Sequence, residues 1–319
     1  MFDYEIKHLD TLRPLLAECT VLLKSDGSFP LIKAGTIAAY GSGVRHTVKG
    51  GTGSGEVKTR FAVSIEKGLE DAGFKLTSKD WLDGYDAIRE TSFKQFIEDI
   101  KADAKSQKKP AVLVGMGAVM PEPEFSSPLN YESESALYVI SRISGEGNDR
   151  KITKGDVLLT DSEVHDILTL NEKYRKFMLV INAGGPVDLS PVMDVRNILV
   201  LSQLGAETGT ALADILVGKY TPSGKLATTW LCLDQCRFSD FGNETDTFYR
   251  EGIYVGYRYY DTAGQKPAFP FGFGLSYTKF STDEAAVSME GEEIDVRCTI
   301  RNIGDYPGKE TLQLYISAP

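Results

Sequence analysis

The sequence has few histidines and cysteines and no long apolar run. Only three histidines and four cysteines occur among 319 residues, and no two cysteines have CxxC spacing. A zinc site is therefore disfavoured, and reduced structural thiols are the default. No stretch approaches the ~20 apolar residues that a membrane helix needs. The first ten residues are acidic and contain neither the basic nor the apolar segment of a secretory signal. We therefore expect a cytoplasmic protein, or else one whose signal has been removed, with no metal, no cofactor and no membrane partner.

Positive charge is also scarce. The chain carries 35 basic and 45 acidic residues, a net charge of -10, and its basic residues are scattered. Nucleic-acid binders usually show a basic stripe, so we expect no nucleic-acid partner. Apolar residues make up 42% of the sequence, which is ordinary for a folded globular chain. The length predicts about two domains.

Short apolar runs alternate with helical patterns over the first 218 residues. The runs lack polar alternation, which is typical of strands buried on both faces of a parallel sheet; they are 35–40, 111–116, 177–182 and 197–202. Helical spacing of apolar residues predicts helices at 8–20, 60–72, 91–104, 161–174 and 205–216. This alternation predicts an α/β fold, with an open, mostly parallel sheet flanked by helices.

The pattern changes towards the end of the chain. We predict an α/β sandwich domain over 1–230 and an extended, aromatic and glycine-rich linker packed on it over 231–281. Alternating segments at 293–300 and 310–317 predict strands of a β-sandwich over 282–319. About three strands fit there, so this second domain is expected to be incomplete.

A glycine-rich stretch, GSGVRHTVKGGTGSGE, occupies residues 41–56 between a predicted strand and a predicted helix. Such a loop can hold phosphate groups. However, it has neither the GxGxxG spacing nor the GxxxxGK[ST] motif. Its backbone N–H groups and the hydroxyls of Thr52 and Ser54 suit sugar hydroxyls equally well. A plain crossover loop is the remaining alternative.

A long acidic loop between the predicted strand AVLVGMGAV, which begins at residue 111, and the predicted helix that begins near Ser162 contains the segment SRISGEGNDR at 141–150. Loops of this length are usually functional or disordered. Glu146 lies between two glycines, so its carboxyl could be presented at the loop tip as a catalytic group. Arg150 could pair with Asp149 and hold the loop. The other glutamates of the loop are expected to be merely solvated; they are Glu122, Glu124, Glu132 and Glu134.

An ordered set of motifs resembles the family three glycoside hydrolases, the β-glucosidase group. The resemblance covers nearly the whole chain and rests on GGTGSG at 50–55, SGEGNDR at 144–150, INAGGPVDL at 181–189, EGIYVGYRYYD at 251–261 and FPFGFGLSYTKF at 269–280. Members have a barrel, an α/β sandwich domain and a fibronectin-type-III-like domain. The resemblance implies that this chain contains the sandwich domain and an incomplete fibronectin-III-like β-sandwich, without the catalytic barrel.

The resemblance also implies an activity and its residues. Glu146 matches the general acid/base of a retaining β-glucosidase, and Ser54, with Thr52, matches the part that reaches the bound sugar. The family's nucleophile is an aspartate on the barrel in a Ser-Asp-Trp-like motif, and we interpret Lys79-Asp80-Trp81 as a coincidence. Expected partners are β-glucosides or short β-linked oligosaccharides and the barrel domain, and the isolated chain is expected to be inactive.

Two other functions stay open at this point. A non-catalytic carbohydrate-binding or interaction module would bind a glycan without cleaving it. It would use the same glycine-rich stretch and the tyrosines of the segment 251–261. A flavodoxin-like nucleotide-binding protein would use the strand, glycine loop and helix, and a flavin or nucleotide would then copurify with it.

Overall fold

The computed structural model describes residues 2–144, 150–231, 233 and 245–316. The helices are α1 (Asp3–Glu18), α2 (Ile65–Asp71), α3 (Lys79–Gln107), α4 (Ala111–Val114), α5 (Asp161–Lys173), α6 (Thr208–Leu216) and α7 (Tyr257–Ala263). The strands are β1 (Val21–Lys24), β2 (Thr36–Tyr40), β3 (Lys75–Leu76), β4 (Ser135–Arg142), β5 (Phe177–Ala183), β6 (Ile198–Val200), β7 (Phe280–Glu290) and β8 (Glu293–Asn302).

Six strands form one sheet in the order β1-β6-β5-β4-β2-β3. β1 runs antiparallel to β6, and the other pairs are parallel. The prediction of an open, mostly parallel sheet flanked by helices is therefore confirmed. Every residue of β5 is buried, as expected for a strand covered on both faces.

The flanking helices are fixed by local sequence and by close packing. α5 begins with a capping box, in which Thr160 Oγ1 accepts from Glu163 N and Glu163 Oε2 accepts from Thr160 N. α6 packs on α2, with Gly209 directly against the Ser64 carbonyl. The small residues of α6 thus permit close helix–helix packing. No helix in the described part of the chain has the length and apolar character to cross a membrane.

Two predictions in the middle of the chain are wrong. The run 111–116 is not a strand, because it contains α4, whose Val112 is 77% exposed. The predicted acidic loop instead contains β4, the central strand that pairs with both β2 and β5. A short apolar run does not distinguish a strand from a helical turn, and length and burial decide between them.

The last part of the chain contains a second, two-stranded antiparallel sheet made of β7 and β8. This hairpin is consistent with the beginning of a fibronectin-III-like part. Residues 269–275 pair with earlier parts of the chain, since Trp230 bridges Phe269 and Leu22 bridges Leu275. The segment predicted to be extended also contains the short helix α7. The strand predicted over 310–317 is absent from its described residues, 310–316.

Candidate functional site

The loops that follow β2, β4, β5 and β6 leave the sheet at the same edge, because these strands are parallel. In open α/β sheets, ligands bind beyond the carboxyl ends of the strands. The glycine-rich stretch follows β2, and the SGEG segment follows β4. Topology therefore brings together the two segments that the sequence singled out.

Asn182, at the end of β5, connects this group of loops. Its side-chain oxygen accepts from Val48 N at 2.6 Å, and its Nδ2 donates to Val48 O at 2.8 Å and to Ser202 O at 2.6 Å. Gly205 N also donates to Lys49 O at 2.9 Å. The glycine-rich stretch is therefore held against the loop that follows β6.

The glycine-rich stretch forms one wall of a groove of about 520 Å³. The lining residues are His46, Thr47, Val48, Lys49, Gly50, Gly51, Thr52, Gly55, Glu56, Val57, Thr59, Ile143 and Gly205. Thr52 Oγ1 is buried there and has no hydrogen-bond partner among the described residues. Ser54 lies in the exposed turn Gly53–Gly55 and is not part of the lining. Of the two residues predicted to contact a sugar, Thr52 lines the groove and Ser54 does not.

Glu146 and Asp149 lie outside the described residues, but both flanks of their segment are described. A methyl group placed on Gly51 would lie 2.9 Å from Ser144 O, so this close approach requires glycine. A methyl group on Gly185 would lie within 4 Å of Ser144 Oγ and of Arg150 Nη1. Ser144 therefore lies beside the glycine-rich stretch, and both described flanks of the 145–149 segment, Ser144 and Arg150, lie beside the loop after β5.

A cluster of buried charged residues lies where β4 ends. Arg142 Nη2 donates to Glu163 Oε2 at 2.6 Å, and Arg142 Nη1 lies 3.5 Å from Glu122 Oε2. The Tyr85 hydroxyl donates to Glu122 Oε1 at 2.6 Å. Burial and the neighbouring Glu163 carboxylate raise the pKa of Glu122 to about 7. The sequence did not identify this cluster, although an arginine that ends an apolar run was an available signal.

A cavity of about 450 Å³ adjoins the cluster and is lined by Glu122, Arg142, His46 and Asp156, among others. His46 Nε2 lies 2.7 Å from Asp86 Oδ1. The expectation that the loop glutamates are merely solvated is thus wrong for Glu122. It is also wrong for Glu124, whose carboxylate accepts from the backbone N–H groups of Asp161 and Ser162.

No group of three or more metal-ligating side chains occurs within the described ranges.

Asp80 is exposed in the first turn of α3, and Trp81 is buried against Tyr40 and Tyr85. The Lys79-Asp80-Trp81 triplet is therefore the start of a helix, away from the groove lining.

Comparison with known proteins gives consistent matches. Residues 20–277 match the family described as "Glycosyl hydrolase family 3 C-terminal domain". β-Glucosidase A of Butyrivibrio fibrisolvens is 32% identical over 362 aligned positions, which cover 98% of this chain and 42% of that protein. Thermostable β-glucosidase B of Acetivibrio thermocellus is 33% identical, with 97% of this chain and 38% of that protein covered.

Solved structures agree with these sequence matches. β-Glucosidase 3B of Thermotoga neapolitana in complex with α-D-glucose superposes with a TM-score of 0.74 at 34% identity, covering 93% of this chain and 42% of that one. A β-glucosidase of Paenibacillus barengoltzii has a TM-score of 0.74 at 28% identity, covering 94% and 33%. The chain thus spans about two fifths or less of the length of these relatives.

Proposed function

Because the chain belongs to glycosyl hydrolase family 3, as a C-terminal domain of that family, we propose that it is the acid/base-bearing part of a retaining β-glucosidase. The enzyme would remove terminal β-D-glucosyl units from β-glucosides or short β-linked oligosaccharides. The observation that carries the proposal is the convergence of the glycine-rich stretch with both flanks of the 145–149 segment at one sheet edge. The relatives' names as β-glucosidases support the substrate class.

The remaining part of the site belongs to a barrel domain in this proposal. The matched relatives are more than twice as long as this chain, which leaves room for such a domain. The barrel supplies the aspartate nucleophile and docks on the sandwich domain at 1–230, with 231–281 as linker and 282–319 as the fibronectin-III-like part. The chain without the barrel is then inactive.

Glu146 is the general acid/base in the proposed reaction. A retaining glycosidase needs two carboxyl groups about 5–5.5 Å apart. The barrel aspartate attacks the anomeric carbon, and Glu146 donates its proton to the departing glycosidic oxygen. Glu146 then takes a proton from water, which attacks the glycosyl-enzyme and releases the sugar with retained configuration. Docking of the barrel raises the pKa of Glu146 by removing water and by placing it near an anionic carboxylate.

The groove beside the glycine-rich stretch would contact the sugar. Thr52 offers a buried hydroxyl that has no partner among the described residues, and Ser54 lies two residues further along the same turn. A sugar hydroxyl would satisfy the Thr52 oxygen, which otherwise stays desolvated at a cost of about 1–3 kcal/mol.

The decisive experiment replaces Glu146 by Gln in the full-length enzyme. Acid/base groups typically contribute ~10²–10⁴-fold, so cleavage of cellobiose-like substrates should slow by that factor. Activated phenyl glucosides need no protonation, so the glycosyl-enzyme should still form from them and then persist. Azide needs no deprotonation and should restore turnover, giving a β-glycosyl azide.

Glu132→Gln is the matched control, because Glu132 is an exposed carboxylate of the same chain region. It should leave all of these rates nearly unchanged. If Glu146→Gln behaves like Glu132→Gln, the acid/base assignment is wrong. Binding of β-glucosides without turnover by the full-length natural protein would instead support a non-catalytic carbohydrate-binding module.

A cytoplasmic location is also proposed. The two cysteines in the described part, Cys19 and Cys298, are free thiols, which suits a reducing compartment. Cell fractionation tests this location, and recovery of the protein outside the cytoplasm would contradict it.

A further inference from the structure

Asp156 contacts the chain on both sides of the 145–149 segment. Its carboxylate accepts from Arg150 Nε at 2.8 Å and from Lys151 N at 2.6 Å, just after the segment. Its backbone oxygen accepts from Arg142 Nε at 2.9 Å, just before the segment. One residue therefore joins the two ends of the loop that contains Glu146.

Both arginines are themselves held in place. Arg142 is 4% exposed and is fixed by Glu163 and Glu122 in the buried cluster. Arg150 Nη1 donates to Pro186 O at 2.7 Å, in the loop that follows β5. The two ends of the segment are thus anchored to the buried core on one side and to a neighbouring loop of the same edge on the other.

The Asp156–Arg150 pair is largely shielded from solvent. The side chains are 23% and 16% exposed, and three hydrogen bonds converge on Asp156. Charge-assisted hydrogen bonds of this kind are stronger and more directional than neutral ones. By contrast, the nearby Lys154–Asp161 pair is 56% and 79% exposed and joins no loop ends.

We propose that Asp156 is a positioning residue. It links Arg142 and Arg150, on the two flanks of the 145–149 segment, and so sets the place of the Glu146 carboxyl. The proposal rests on the proposed function of Glu146. A catalytic group must be held to about 0.5 Å, and a misplacement of about 1 Å can cost 10²-fold in rate.

The test is Asp156→Asn in the full-length enzyme. The amide replaces one acceptor oxygen by an NH₂ group, so either the Arg150 or the Lys151 hydrogen bond is lost, together with the negative charge. We expect kcat on cellobiose to fall about 10²-fold with KM nearly unchanged. Formation of the glycosyl-enzyme from dinitrophenyl glucoside, which needs no acid, should change less than threefold. Arg150→Lys keeps the charge and should give an intermediate loss on cellobiose.

Asp161→Asn is the matched control, with the same chemical change in the exposed pair, and should leave both rates unchanged. If Asp156→Asn lowers the rates on cellobiose and dinitrophenyl glucoside equally, or lowers neither, Asp156 is a structural residue and the proposal fails. Glu146→Gln is measured in parallel. If it is selective and azide-rescued while Asp156→Asn is not selective, only the positioning role is wrong. If Glu146→Gln is itself not selective, the proposed function fails first.

Discussion

Arg142 and Glu163 form a salt bridge of 2.6 Å in which both side chains are almost completely buried, at 4% and 3% exposure. The bridge fastens the end of β4 to the first turn of α5. Glu163 also completes the capping box of that helix. Burying two charges is costly, and only their mutual contact and the added hydrogen bonds offset the cost. Removing one partner should therefore cost far more than removing an exposed ion pair.

Arg142→Met should destabilise the protein by about 3–5 kcal/mol, because it leaves the Glu163 and Glu122 carboxyl groups buried without their cation. Urea unfolding measures this change. Arg297→Met is the control, since Arg297 is 81% exposed in its pair with Asp295 and should shift stability by less than about 1 kcal/mol. Equal losses of stability for the two substitutions would show that the buried salt bridge contributes no more to stability than the exposed one.

Asp166 makes the stability depend on pH. It lies on α5, is 2% exposed, and its Oδ2 has no hydrogen-bond partner among the described residues. Burial, with the nearby Glu163 carboxylate, raises its pKa to about 7 from the ordinary value of 3.8. Between these two pH values the folded chain holds a proton that the unfolded chain has lost. The stability contributed by this group therefore falls as the pH rises from about 4 to 7.

Asp166→Asn should remove that fall. We expect the variant to gain stability relative to the natural protein as the pH rises from 4 to 8, because the amide has no proton to lose. Urea unfolding at both pH values measures it. Asp103→Asn, the same chemical change at an exposed position of α3, is the control. A constant difference at the two pH values for Asp166→Asn would contradict the raised pKa.

Gly209 tests the close packing of α6 on α2. A methyl group at this position would collide with the Ser64 carbonyl, which is backbone and cannot move away cheaply. Gly209→Ala should therefore destabilise the protein by about 1–3 kcal/mol, despite the better helix propensity of alanine. Gly55→Ala, where a methyl group meets nothing within 4 Å, is the control for thermal unfolding. A gain in stability at Gly209 would mean that the two helices separate without cost.

The strands of the sheet were predictable from sequence where the apolar runs were long. β5 matched its prediction because seven consecutive buried residues leave little ambiguity. β4 was missed because it lies among acidic and proline-containing residues, which mask an eight-residue strand. The run at 111–116 was mistaken for a strand because its four helical residues are as apolar as a strand, and exposure cannot be deduced from composition.

The candidate site was predictable only at its motifs. Ser144, which precedes the 145–149 segment, does approach Gly51 of the glycine-rich stretch. Glu122 was misjudged because neighbours in sequence do not reveal burial, which here comes from Arg142 on β4 and Tyr85 on α3. Asp156 was not identified because its partners belong to two different loop flanks. Such contacts follow from the order of strands in the sheet, which a local pattern does not contain.

Thr52→Val is the sharpest test of the groove. Valine has nearly the same shape as threonine and lacks the hydroxyl, whose oxygen is buried without a partner within the described residues. Its loss should not lower the stability of the protein and can raise it slightly. If the hydroxyl binds a sugar, however, kcat/KM for β-glucosides in the full-length enzyme should fall about tenfold, equivalent to ~1.4 kcal/mol.

Thr229→Val removes another buried hydroxyl without a described partner, outside the groove lining, and should leave kcat/KM unchanged. Equal kcat/KM for the two variants would mean that Thr52 does not contact the sugar. A loss of kcat/KM confined to Thr52→Val, with unchanged thermal unfolding, would mean that the groove binds the substrate.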